Sequence, residues 1–219
     1  IPKILHEVDY IVNMPKLKTH VLTLYSGAVK NMYGCIPGSM KQTYHNLARG
    51  YENFSRLVVD LYQKVIPSVS IMDGIIGMEG PGATAGYPKK AGLLLASESA
   101  IALDIAGSKI IGFDPKEIVM LEEAIKRGFY RGWEFELVGM EKLPSIKFQR
   151  PLEKQRSKGL GVIFPERNVY VDKEKCTKCG ICALRCPVKA IKMDPYPVID
   201  YDKCIRCYCC AEVCPNHSM

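Results

Sequence analysis

The chain has 219 residues, 47% of them hydrophobic and 24% charged, with 30 Lys and Arg against 23 Asp and Glu for a formal charge of +7. That length holds one sizeable α/β domain and a second, small module, while no apolar run approaches the roughly eighteen residues that span a bilayer and no signal peptide is visible. Nine of the ten cysteines fall between Cys176 and Cys214, which argues against the disulfide framework of a small secreted domain.

The first element in chain order is Tyr10–Asn13, a short apolar run that reads as a buried strand. After Pro15, Lys16, Lys18 and His20 recur at period two, so in an extended stretch all three share one face. Two cations and an imidazole on one face suit a carboxylate or phosphate; a solvated strand face is the alternative. Lys30 and Asn31 follow, then a turn over Cys35–Lys41, and His45 opens the next helix. Leu47, Tyr51, Phe54, Leu57, Val58, Leu61, Tyr62 and Val65 give that helix one apolar face, and Pro67 ends it.

Val69–Met72 reads as a strand with Asp73 and Gly74 at its carboxyl end, where α/β sheets usually place their chemistry. The loop holding Gly74, Gly77, Gly80, Gly82 and Gly86 lacks the strand, turn and helix order of a dinucleotide site, because Ala91–Ala96 reads as another strand. Ser97 or Ser99 caps a helix that carries Asp104 among apolar neighbours; this carboxylate is either paired with a lysine or exposed. Asp114, Pro115 and Glu117 mark a further helix start, and Gly128 its end. Trp133–Val138 alternates as a short strand. From Glu141 to Arg167 seven Lys or Arg stand against three Glu, and with its prolines and glycines this basic stretch reads as a connector.

The remainder is dominated by cysteine. Cys176, Cys179, Cys182 and Cys186-Pro187, then Cys204, Cys207, Cys210 and Cys214-Pro215, each follow C-x2-C-x2-C-x3-C-P, the spacing by which thiolates hold a cubane iron–sulfur cluster. Three closely spaced thiolates wrap one corner of a cube, and the fourth comes from the other run. This assigns Cys176, Cys179, Cys182 and Cys214 to one 4Fe-4S cluster, and Cys204, Cys207, Cys210 and Cys186 to a second. Zinc ribbons also use C-x2-C pairs, but the third step and the trailing Cys-Pro fit zinc poorly. Cys35 and Cys209 are left over and read as small buried hydrophobes. Two clusters at about −2 each bring the charge from +7 to roughly +3, so basicity alone does not imply nucleic acid. The runs also repeat at a shift of 28 residues: Tyr170–Cys176 aligns with Val198–Cys204, and Ala190-Ile191 with Ser218-Met219.

This tail resembles the two-cluster bacterial ferredoxin fold over about residues 168–219. Upstream, Val12–His20 with its Pro15-Lys-Leu-Lys18-Thr-His20 core, Gly27–Gly34 with Lys30-Asn31, Pro37-Gly38, Lys41, His45, Asp60-Leu61, Asp73–Gly80 and Asp104 resemble domain-of-unknown-function family 362. Many members of that family carry such a ferredoxin module at their C-terminus. The resemblance implies iron–sulfur binding and redox association, and a further α/β segment ahead of the Lys18 motif. As the chain opens at Ile1 rather than Met, it is expected to be a fragment or a processed form.

The expected architecture is an α/β N-terminal domain over 1–140, a basic connector over 141–167 and a small α+β two-cluster 4Fe-4S ferredoxin-like domain over 168–219. The expected function is single-electron transfer, either to a site in the N-terminal domain or to a partner oxidoreductase. Candidate residues for an anionic substrate or cofactor are Lys16, Lys18, His20, Lys30, Asn31, Lys41, His45 and Asp73. The alternative is an electron-transfer or assembly module whose N-terminal domain only docks a redox partner protein. Nucleic-acid binding through the basic connector is a weaker option. Oxygen-sensitive clusters and reduced thiols favour the cytoplasm of an anaerobic or facultative prokaryote.

Overall fold

The computed structural model describes residues 1–48, 50–82, 86–151, 169–204, 209–216 and 218–219, with backbone alone at Gly38, Ser39, Gln42, His45, Asn46, Cys209 and Glu212. The chain divides into two compact units, one of Ile1–Cys35 with Ala48–Gly159 and one of Ile36–Leu47 with Leu160–Met219. The first is an α/β unit and the second a small cysteine-rich unit with its own two-stranded sheet.

In the first unit β1 (Val12–Asn13) and β2 (Lys16–His20) run parallel to one edge of β4 (Val69–Glu79), pairing Val12 with Val69 and Lys16 with Asp73. The break between β1 and β2 falls at Pro15, which has no amide hydrogen for a ladder but still accepts from Asp73 N at 2.9 Å. β3 (Leu24–Ser26) turns back antiparallel onto β2. β5 (Tyr87–Ser97) forms a long antiparallel hairpin with β4, with a register shift between Gly74 and Ile76. The strand expected over Val69–Met72 thus runs on to Glu79, and Asp73 lies inside it rather than at its end.

Helices α1 (Ala28–Asn31), α3 (Tyr51–Lys64), α4 (Ala100–Ile110) and α5 (Val119–Lys126) supply the remaining core. Leu17 and Met72 of the sheet meet α4 at Gly107, where the absence of a side chain lets helix and strand approach closely. Phe54, Val58, Ile101, Ile105 and Leu121 are fully buried around them. The expected caps are present: Ser99 Oγ accepts from Ala102 N at 3.2 Å, and Asp114 Oδ1 from Lys116 N at 2.9 Å.

Three expectations need correction. The apolar stripe from Leu47 to Val65 is not one helix: α2 (Gly38–Leu47) belongs to the second unit, and α3 begins after Gly50, whose φ of +83° breaks the path. Helix α2 begins at Gly38, inside the stretch read as a turn, so His45 lies near its end. Trp133–Val138 forms no strand, because its alternating residues pair with no neighbour. Of the basic stretch read as a connector over 141–167, the part from Ile146 to Gln149 packs on the first unit, with Phe148 buried and Gly80 N donating to Gln149 O at 2.8 Å, and residues 152–167 lie outside the described residues.

In the second unit β6 (Ile191–Asp194) and β7 (Tyr196–Ile199) form a tight antiparallel hairpin. The 28-residue repeat is visible bond by bond. Asp172 Oδ1 accepts from the amides of Glu174 and Lys175 and pairs with Lys175 at 3.0 Å; Asp200 does the same with Asp202 and Lys203, pairing at 3.1 Å. Cys176 N donates to Asp172 O and Cys204 N to Asp200 O. The small core of this unit contains Cys182, its repeat mate Cys210, and Ile191, with Met219 packed against it.

Candidate functional site

Gly180 and Lys178 both adopt the left-handed backbone region, with φ of +76° and +59°, which curls the first cysteine loop, along which Cys176 is half-buried, Cys179 exposed and Cys182 buried. The helix over Ile181–Leu184 then fixes Cys182 in the core. Cys176, Cys179 and Cys182 line one cavity together with Cys214, which comes from the second run, and with Gly180, Met193 and Pro215. The space enclosed among them is small, about 10 Å³. Among the described residues no three His, Cys, Asp or Glu side chains converge as they would on a single ion. Four thiols lining one space give the ligand number of a 4Fe-4S cluster.

Other details fit such a group. Burial pushes the Cys182 thiol up, and the neighbouring Cys179 and Cys176 push it further, so a cationic core would relieve their mutual repulsion. Backbone amides point at sulfur at the two repeat-equivalent positions: Ala190 N donates to Cys186 Sγ at 3.2 Å, and Ser218 N to Cys214 Sγ at 3.3 Å. Cys186 packs against the core that holds Cys210, and Cys204 is half-buried. Cys207 lies outside the described residues, as does Arg206. Of the leftover cysteines, Cys35 is half-buried, not buried as expected, because it ends a short 3-10 turn at the limit of the first unit. Cys209 begins the helix Cys209–Glu212.

The N-terminal candidates separate. Along β2, Lys16 is exposed, Lys18 half-buried and His20 buried, with the buried Leu17 and Thr19 between them. Lys16 is neutralised by Asp73, its register partner, through a 2.6 Å ion pair that also holds the Asp73 carboxyl below its usual range. His20 Nδ1 accepts from the amides of Leu22 and Thr23 at 3.1 and 3.3 Å, so that nitrogen carries no proton and the ring closes the turn into β3. Asn31 donates to Asn13 Oδ1 at 2.8 Å, and Asn13 in turn donates to Ala28 O and Ser70 Oγ. Lys41 and His45 lie on α2 in the second unit.

Lys18 and Lys30 are different. Burial lowers the pKa of both, and at Lys30 the charge of Lys18 adds to the effect, bringing it to about 7. Lys30 Nζ lies over the rings of Phe54 and Tyr33 at 5.5 and 5.8 Å. Neither lysine meets a carboxylate among the described residues. Burial is thus the main cause at both lysines, and the charge of Lys18 acts on Lys30 as well.

Asp104 is neither paired with a lysine nor exposed, contrary to both expectations. It is fully buried, and its oxygens accept from Ala28 N at 2.6 Å, Val29 N at 2.9 Å and the Tyr25 hydroxyl at 3.4 Å. Burial raises its pKa to about 7 against the opposing pull of these bonds. It caps α1, the helix that carries Lys30 and Asn31. A side chain at Gly27 would collide with this carboxylate and with Tyr25, and the adjacency of Gly27 to Lys30-Asn31 was the only sequence signal for this support.

A small unit that presents thiols in this order is the ligand frame of a ferredoxin-type iron–sulfur protein, with an electron-transfer role. Residues 169–192 and 197–218 match the family described as 4Fe-4S binding domain, and residues 1–109 match the family described as domain of unknown function DUF362. The chain belongs to the DUF362 family and carries a C-terminal 4Fe-4S binding domain. It is 38% identical over 113 residues to a thylakoid-associated protein of Synechocystis sp., an alignment covering 51% of this chain and 35% of that relative. The chain thus spans about a third of the curated relative it matches. No solved structure matches. Among the described residues no helix is long and apolar enough to cross a membrane.

Proposed function

We propose that the protein carries two 4Fe-4S clusters and delivers single electrons to an anionic substrate or cofactor bound at Lys18 and Lys30 of its α/β unit. The observation that carries this reading is the cavity that unites Cys176, Cys179 and Cys182 with Cys214 across the two runs. Cys186, Cys204, Cys207 and Cys210 are the corresponding second ligand set. When bound, each cluster accepts or gives one electron at a time. The thiolates hold it, the Ala190 and Ser218 amides donate to its sulfur ligands, and the half-buried lysines hold the acceptor's negative charge. A cytoplasmic, oxygen-poor setting suits these thiols.

Exposed apolar side chains on the hairpin favour a second reading, in which the α/β unit docks a redox partner and does no chemistry itself. Ile75 and Leu94 are 50% and 64% exposed.

Anaerobic reconstitution with iron and sulfide, followed by iron analysis and electron paramagnetic resonance of the reduced protein, tests the cluster reading: about eight irons per chain and a cubane signal are expected. A Cys214→Ser chain that keeps wild-type iron content and spectrum contradicts the crosswise ligand set. Phosphate binding by calorimetry, lost in Lys18→Ala, separates the substrate reading from the docking one.

A further inference from the structure

The two halves of the cysteine unit share their Asp–Lys turns and their amide–sulfur bonds, and one difference between them touches a cluster ligand. Ala190 and Ser218 occupy the same position at the 28-residue shift, and the amide of each donates to the sulfur four residues earlier, Cys186 or Cys214. Ser218 is buried and its hydroxyl lies 3.1 Å from Cys214 Sγ. A ligating cysteine is a thiolate with no proton to give, so in that state the Ser218 hydroxyl is the donor. The Ala190 methyl offers Cys186 nothing comparable.

We infer that Ser218 makes the two clusters electronically unequal, raising the reduction potential of the one ligated by Cys214 above that of the one ligated by Cys186. This rests on the crosswise ligand set proposed above. One-electron reduction adds a negative charge that is shared with the sulfur ligands, and a donor to sulfur stabilises the reduced form more than the oxidised one. The hydroxyl acts through Cys214 and is a positioning residue for charge. Its consequence is a direction: an electron entering the unit comes to rest on the cluster that Cys214 holds.

The test is a redox titration of the reconstituted full chain with mediators, followed by electron paramagnetic resonance, comparing wild type with Ser218→Ala, Ser218→Thr and Ala190→Ser. In Ser218→Ala one midpoint falls by about tenfold in the one-electron equilibrium, or about 59 mV, while the other stays. Ser218→Thr retains the hydroxyl and the wild-type midpoint. Ala190→Ser raises the other midpoint. Unchanged midpoints in Ser218→Ala at wild-type iron content overturn the inference. Should Ser218→Ala lose iron, Ala190→Ser decides alone, and an unchanged pair of midpoints there overturns it equally. A reconstituted wild type with no cubane signal overturns the ligand reading beneath it.

Discussion

Asp104 and Ala28, 76 residues apart in the chain, are joined by a 2.6 Å hydrogen bond from the Ala28 amide to the buried Asp104 carboxylate. With the Val29 amide on the other oxygen, one side chain of α4 closes the start of the helix that presents Lys30.

Removing that carboxylate strands two buried amides. Asp104→Ala is expected to lose about 2–5 kcal/mol of stability in chemical denaturation. Asp104→Asn also turns an amide donor or a weaker acceptor toward donors. Because the folded pKa is raised above the unfolded one, the stability linked to Asp104 protonation is present below about pH 4 and is lost as pH rises through about 7. Asp104→Asn is expected to remove this slope from the pH profile of unfolding.

Two glycines should behave oppositely. Gly27→Ala is expected to destabilise by about 2 kcal/mol or more, since the added methyl collides with Asp104 and Tyr25. Gly34→Ala meets nothing within 4 Å and is expected to stay within about 0.5 kcal/mol of wild type or gain slightly. Thermal unfolding of the two variants side by side checks the pair.

Anion binding at Lys18 and Lys30 is expected to tighten as pH falls through about 7, because Lys30 is depressed to that value and must be charged to hold an anion. Calorimetry with phosphate in two buffers of different ionisation heat should register proton uptake near pH 7.5. In Lys18→Ala the lysine-lysine repulsion is gone, so the uptake at Lys30 diminishes along with affinity.

The Lys16–Asp73 pair is nearly half exposed on both sides, and exposed pairs contribute little. Lys16→Ala and Asp73→Asn are each expected to leave the unfolding midpoint within experimental scatter, and to leave phosphate affinity unchanged. A loss of binding in Lys16→Ala would extend the anion site to that residue.

Metal removal should act on one unit. Trp133 is the sole tryptophan and lies in the first unit, so its emission reports there. Anaerobic chelation of the reconstituted chain is expected to abolish the cluster absorption and the cooperative melting of the second unit, with Trp133 emission unchanged.

The cysteine spacing was legible as a 4Fe-4S binding domain because the geometry of a cube fixes how its thiolates are spaced along the chain. The helix caps at Ser99 and Asp114 were legible because they are local. Asp104 was not: its partners are backbone amides that carry no sequence label, so a buried acid read as a lysine partner. The single stripe from Leu47 to Val65 concealed two helices because helical periodicity survives a break of three residues, and only the backbone at Gly50 reveals it. Lys16 and Lys18 look alike in sequence, and strand register separates them by giving Asp73 to one alone.

The repeat in the second unit is interlocked: Asp172 N donates to Ser218 O at 2.7 Å, and Asp200 N to Ala190 O at 2.8 Å. Each half therefore completes the other, and the turn between Asp194 and Tyr196 keeps their effective concentration on the order of millimolar. A chain cut at that turn would assemble only as a concentration-dependent pair of fragments. Two intact chains with the turn stiffened would find the same bonds by exchanging halves.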